Sequence, residues 1–188
     1  NTGLANPFAG VTPNIVGPIN EEDTSAMELA DLDGDGDLDV VYANQSEQNR
    51  FHLNDGAGNL VNGFQFDGAA EDARDVVIGD VDGDGDLDVI FAVFGAENQL
   101  YLNNGAGIPF QGVQPIVITA DRDNSVRLHL VDIDRDNDLD LIVGNDTGQS
   151  DKIYVNDGNF DGDGDPFNRI STGIVFSSDD LSTRGIGS

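Results

Sequence analysis

The chain has 188 residues, enough for one ordinary domain with a core of its own, and a formal charge of −28 from 36 acidic and 8 basic residues. So acidic a chain is a poor match for nucleic-acid phosphates or an anionic membrane surface. No apolar run approaches the roughly 20 residues of a membrane span, and the lack of cysteine excludes disulfides and thiol chemistry.

From the amino end, residues 1–24 contain NTGLANPF, which matches NNGAGIPF at 103–110, so the chain is expected to open inside a partial repeat. An apolar strand is predicted at Ala26–Ala30, then the acidic stretch DLDGDGDLD over 31–39, then a second strand at Asp39–Ala43. A third strand ends in the turn signal RFHLNDGAG at 50–58, and a weaker fourth follows near Phe64–Phe66. The same order returns twice. Strands are predicted at Val76–Gly79 and Asp88–Phe94 around DVDGDGDLD, then QLYLNNGAG at 99–107 and a strand at Ile116–Thr119. Strands at Val126–Val131 and Asp140–Gly144 surround DIDRDNDLD, followed by KIYVNDG at 152–158 and a strand at Ile174–Ser177. The closing STRGIGS resembles the lead-in ARDVVIG at 73–79.

The first aspartates of the three acidic stretches, Asp31, Asp80 and Asp132, are spaced by 49 and 52 residues. The strands beside them are apolar on both faces, as for strands buried on both sides. The Asn-Asp-Gly and Asn-Asn-Gly signals are expected to supply the positive φ of tight hairpins. No segment shows sustained helical periodicity. Four short antiparallel strands per unit of about 50 residues is the pattern of a propeller blade. The expected fold is therefore all-β, with about three and a half propeller-type blades. The expected divisions are a partial blade over 1–24, blades over 25–71, 72–121 and 122–180, and the start of another over 181–188. Such a set is expected to belong to a larger or an oligomeric propeller.

Thirty of the acidic residues are Asp, and fifteen of those lie in the three stretches. Two carboxylates about 5 Å apart repel by roughly 3 kcal/mol at an effective dielectric near 20. Such a loop stays ionised and ordered only around a cation; otherwise its pKa values rise. Positions 1, 3 and 5 are Asp31, Asp33 and Asp35, then Asp80, Asp82 and Asp84, then Asp132, Asp134 and Asp136. Position 6 is Gly36, Gly85 or Asn137, residues that tolerate a left-handed backbone. Position 7 is Asp37, Asp86 or Asp138, expected to offer its carbonyl, and position 9 is Asp39, Asp88 or Asp140. Oxygen-only ligands with several carboxylates suit Ca²⁺ better than Mg²⁺, which demands an octahedron and keeps its waters. Position 12 is Tyr42, Phe91 or Val143, so the bidentate Glu of an EF-hand is missing. A fourth candidate site runs through Asp157, Asn159, Asp161, Asp163 and Asp165 in DGNFDGDGD, the alternative being an inserted loop.

The loops DLDGDGDLDVV, DVDGDGDLDVI and DIDRDNDLDLI, with the LNDG and LNNG hairpins, resemble the FG-GAP/VCBS repeat family, the calcium-bearing propeller blades also found in integrin α-subunits. The resemblance covers essentially the whole chain. It implies Ca²⁺ held through positions 1, 3, 5, 7 and 9 of a loop between the first and second strands of each blade. It also implies rings that usually hold seven blades.

No nucleophile elbow, zinc-protease motif or phosphate loop is present. His52 takes the repeat position of Tyr101 and Tyr154, which argues for strand packing. Asn44-Gln45-Ser46 and Asn145-Asp146-Thr147 match the N-glycosylation pattern at one repeat position. The expected function is a non-enzymatic, extracellular calcium-binding module, secreted or on a cell surface, for adhesion, surface assembly or protein interaction. The alternative is a carbohydrate-binding propeller, lectin-like or attached to a polysaccharide-degrading enzyme. The expected partners are a protein or glycan surface ligand, or copies of the chain itself, with no nucleic acid and no membrane insertion.

Overall fold

A computed structural model of the chain describes residues 23–68, 72–118, 122–146, 148–156, 158, 166–167 and 174–175. These residues form twelve strands and no helix. The first sheet contains β1 (Asp23–Ala30), β2 (Asp39–Gln45), β3 (Arg50–Asn54) and β4 (Leu60–Gln65). The second contains β5 (Ala73–Gly79), β6 (Asp88–Val93), β7 (Gln99–Tyr101) and β8 (Ile116–Val117). The third contains β9 (Ser125–Val131), β10 (Asp140–Asn145), β11 (Lys152–Tyr154) and β12 (Ile174–Val175). Each is an antiparallel meander in chain order, the architecture of a propeller blade. The acidic stretches join first strand to second, and Ala30 pairs with Asp39, Gly79 with Asp88, and Val131 with Asp140.

The second strands are buried as their unbroken apolar sequence implies, and β6 is buried at every position. The first strand β1 departs from that expectation. Ala26 and Ala30 pack toward the second sheet, but Met27 and Leu29, on the opposite face of β1, lie exposed because no described sheet covers them. Two cores lie between successive sheets. The first gathers Leu32, Val41, Phe51, Phe66, Val76, Phe91, Tyr101 and Phe110. Its rings meet edge-on or tilted at centroid separations such as 4.8 Å for Phe66–Tyr101 and 5.4 Å for Phe51–Phe110. Such pairs add about 0.5–1.5 kcal/mol each beyond the area they bury. The second core gathers Val81, Ile90, Leu100, Leu128, Leu141, Tyr154 and Phe167.

The turns after the third strands differ from tight hairpins. Asn54 pairs with Leu60 across a loop, and the left-handed residues there are Gly56 and Gly58 rather than the asparagines. In the second sheet the connection is longer still, spanning residues 102–115 between β7 and β8, and it returns Phe110 to the first core. The asparagine of the motif has another task. Asn103 Nδ2 donates to Leu87 O of its own acidic loop (3.2 Å) and to Leu32 O of the preceding one (2.9 Å). Asn156 Nδ2 repeats this with Leu139 O (3.4 Å) and Val81 O (2.8 Å). A polar clamp therefore joins each of the first two acidic loops to the blade that follows.

The asparagines of the two glycosylation patterns are also structural. Asn44 and Asn145 are fully buried, and their Nδ2 groups donate to Gln48 O (3.0 Å) and Ser150 O (2.7 Å). Their Oδ1 atoms accept from Thr24 and Ser125 hydroxyls. The folded chain thus keeps both amide nitrogens from modification; Thr147, which completes the second pattern, lies outside the described residues.

Asn156→Ala should lower stability by about 1–3 kcal/mol, since it strands the buried carbonyl of Val81 along with its own loop contact. Asn54→Ala should cost less, because Asn54 Nδ2 reaches only Leu38 O of its own loop (3.1 Å). Urea unfolding of the two variants measures the difference; equal losses would remove the clamp between blades from the account.

Candidate metal centre

The acidic loops are built by their own backbone. Position 1 anchors the turn: Gly36 N donates to Asp31 Oδ2 (2.9 Å), Gly85 N to Asp80 Oδ2 (3.0 Å) and Asn137 N to Asp132 Oδ2 (3.2 Å). Position 5 accepts from the N–H of position 7 at Asp35, Asp84 and Asp136. These bonds require a left-handed backbone at two places, not one. Position 6 has φ of 94° at Gly36, 97° at Gly85 and 80° at Asn137. Position 4 has φ of 74° at Gly34, 75° at Gly83 and 71° at Arg135. Side chains added at the four glycines would meet nothing, so the demand there is conformational rather than steric.

Position 9 closes the loop. Asp39 accepts from Leu32 N (2.8 Å) and Asn54 N (2.7 Å), Asp88 from Val81 N (2.9 Å) and Asn103 N (2.9 Å), and Asp140 from Ile133 N (2.7 Å) and Asn156 N (2.8 Å). Each of these buried carboxylates ties its loop to the end of the third strand.

Three groups of carboxylates converge, each with one oxygen per residue within 4.8 Å of the others: Asp31, Asp33 and Asp39; Asp80, Asp82 and Asp88; Asp132, Asp134 and Asp136. Position 9 thus joins the group in the first two loops and position 5 in the third. Asp35, Asp84 and Asp140 flank these groups. The position 7 side chains turn elsewhere. The carboxylate of Asp37 lies where a side chain on Gly56 would stand, and Asp86 and Asp138 lie likewise against Gly105 and Gly158. The hairpin glycine therefore makes room for the loop as well as turning the chain, which the turn motif alone did not reveal. Of the fourth candidate, Asp157, Asn159, Asp161, Asp163 and Asp165 lie outside the described residues.

Burial first, and crowding by like charges second, shifts the loop carboxylates. Burial raises the pKa of Asp33, with Asp35 repelling it, and raises that of Asp82, where Asp84 also repels. Asp134 is raised by desolvation and by Asp136. Burial pushes Asp39 up and carries Asp88 to about 7, against the two N–H donors that pull each down. Asp31 Oδ1 is buried and accepts no hydrogen bond among the described residues. Converging carboxylates, an oxygen-only donor set and a buried lone pair without a donor fit a hard divalent cation.

In chelator, Asp88 should hold its proton up to about pH 7 when folded but only to about 3.9 when unfolded. The folded state then binds more protons between those values, so stability falls as pH rises through that window. The metal-free protein is expected to melt at a higher temperature at pH 5 than at pH 7.5. A melting temperature that climbs over that range would contradict the buried, crowded state of these groups.

A family model described as the FG-GAP-like repeat matches residues 31–91 and 80–143, each match opening on the first aspartate of an acidic loop. No curated protein matches the chain. A solved structure titled "Crystal structure of BBS1N in complex with ARL6DN, soaked with lead" is similar over 77% of this chain and 53% of that chain, at 11% identity and a TM-score of 0.35. This chain therefore spans about half the length of that one. The family match supports a repeat module for protein interaction. With the two matches together covering more than half of its length, the chain belongs to the FG-GAP-like repeat family.

Proposed function

We propose that the chain is a non-enzymatic, extracellular module whose blades are stiffened by Ca²⁺ and presented to a protein ligand. The observation that carries this reading is the closed loop itself. In the first two loops a buried position 9 carboxylate shares one site with positions 1 and 3 while tying the loop to the third strand. A cation there would offset repulsion of roughly 3 kcal/mol per carboxylate pair and lock two strand connections at once. Extracellular calcium, at millimolar level, fills even weak sites of this kind.

The loop carboxylates at positions 1, 5 and 9 are engaged with backbone N–H groups, which favours structure over acid–base work. His52 is buried edge-on to Tyr42, with its ring over Gly63, which agrees with a packing role. At the other end of the first strands, a cleft of about 310 Å³ is lined by Ser25, Gln45, Arg74, Phe94, Val126, Arg127 and Asp146, and its mixed polar and apolar walls suit a peptide surface. Arg74 sits over the Phe94 ring at 4.7 Å, so that face is taken from any sugar that would stack there. The chain also lacks Trp, which again favours protein over glycan. Among the described residues no helix is long and apolar enough to cross a membrane.

Calcium at 100-fold excess over Kd should add about 2.7 kcal/mol per site. Chelation is therefore expected to lower the melting temperature by several degrees or more, with magnesium restoring less of it. Native mass spectrometry should show one ion fewer in Asp33→Ala or Asp82→Ala than in the parent chain. An unchanged melt in chelator, or unchanged ion counts in both variants, would refute the calcium reading.

A further inference from the structure

We propose, on the calcium reading above, that the first two metal sites are coupled through a buried chain of hydrogen bonds, more tightly than either is coupled to the third. The chain of bonds starts at Asp39, the position 9 carboxylate of the first converging group. Asp39 Oδ2 accepts from Leu32 N (2.8 Å), and Leu32 O accepts from Asn103 Nδ2 (2.9 Å). Asn103 N then donates to Oδ1 of Asp88 (2.9 Å), the position 9 carboxylate of the second group. Three bonds thus connect a carboxylate of one site with a carboxylate of the next, and all four residues are buried. Leu32 also stands between Asp31 and Asp33 in sequence, so the other two members of the first group reach it through the main chain.

A cation that draws Asp31, Asp33 and Asp39 together fixes Leu32 among them, and with it the carbonyl that Asn103 binds. A cation at the second group fixes Asp88, and with it the N–H of Asn103. Each ion therefore orders the same buried segment. Whichever binds second meets a segment already ordered, so the coupling is positive without any change of shape. Long-range charge acts the other way, since one bound cation weakens the negative field at its neighbour. Salt screens that effect beyond about 8 Å at physiological strength, whereas buried contacts are screened far less. The path from the second group to the third ends differently. Asn156 joins Val81 O (2.8 Å) to Asp140 Oδ1 (2.8 Å), but Asp140 stands outside the converging group of Asp132, Asp134 and Asp136. That group is reached only by a further bond, from Ile133 N to Asp140 Oδ2 (2.7 Å).

A calcium titration resolved by site tests this. The N–H groups of Gly36, Gly85 and Asn137 each donate to position 1 of their own loop, so their amide NMR signals report the three sites separately. Asp33→Ala should weaken calcium binding read at Gly85 by at least about fivefold, the low end of common coupling between sites. Asp82→Ala should weaken binding read at Gly36 by the same factor. Binding read at Asn137 should change less in either variant. Asn103→Ala removes the donor to Leu32 O and keeps the main-chain N–H on Asp88. In that background both cross-effects should vanish while the two sites still fill. Asn156→Ala, the same change one blade on, should leave them in place, which separates the coupling from a general loss of stability. Cross-effects missing from the parent background, or surviving in Asn103→Ala, would overturn the coupling and leave the calcium reading standing. Gly36 and Gly85 signals that do not respond to calcium at all would overturn both.

Discussion

Asp39, Asp88 and Asp140 are buried, and each takes one N–H from its own loop and one from the end of the third strand. The rest of the blade follows from these two bonds. They fix where the acidic loop ends and where the third strand stops. They thereby set the place of the asparagine that reaches the preceding blade. They also hold a carboxylate inside a low-dielectric wall next to others of like charge, which is why burial dominates the raised pKa of Asp39 and Asp88.

The third loop tests how far that frame constrains sequence. Its left-handed positions carry Arg135 and Asn137 instead of glycine, and the backbone takes the same path at both. Asn tolerates this conformation through its short polar side chain, whereas Arg in it is uncommon. Arg135 N still donates to Asp132 Oδ1 at 2.6 Å, so the closure of the loop overrides the local preference. In this loop the converging group is Asp132, Asp134 and Asp136, without Asp140.

Much of this was legible in the chain because the repeat writes each device three times. The acidic stretches, their place between first and second strands and the four-stranded unit all follow from spacing and from the apolar runs and turn signals beside them. What stayed hidden depends on contacts across units. The LNDG asparagine reads as a turn residue, and only the neighbouring loop shows that Asn103 and Asn156 bind Leu32 O and Val81 O. The glycines at position 4 recur as plainly as those at position 6, but their left-handed φ emerges from the hydrogen-bond pattern of the loop. Met27 and Leu29 have the composition of buried residues, and their exposure is decided by what stands opposite rather than by β1 itself. The two glycosylation patterns hide a structural task for a related reason: sequence cannot show that Asn44 and Asn145 engage their amides inside the connector that follows β2 and β10.

Leu32 gathers three of these threads in one residue. Its N–H is held by Asp39, its carbonyl by Asn103, and its side chain lies in the core between the first two sheets. Val81 repeats the arrangement with Asp88, Asn156 and the second core. The order of one loop is therefore handed to the following blade through a single residue. The handover has a direction, because the asparagine belongs to the later blade and the acceptor to the earlier. A stack wired in this way behaves as a one-dimensional lattice with polar nearest-neighbour links. The links have a donor end and an acceptor end, yet their coupling is reciprocal, so loosening in one loop should reach the blade before it as well as the one after it.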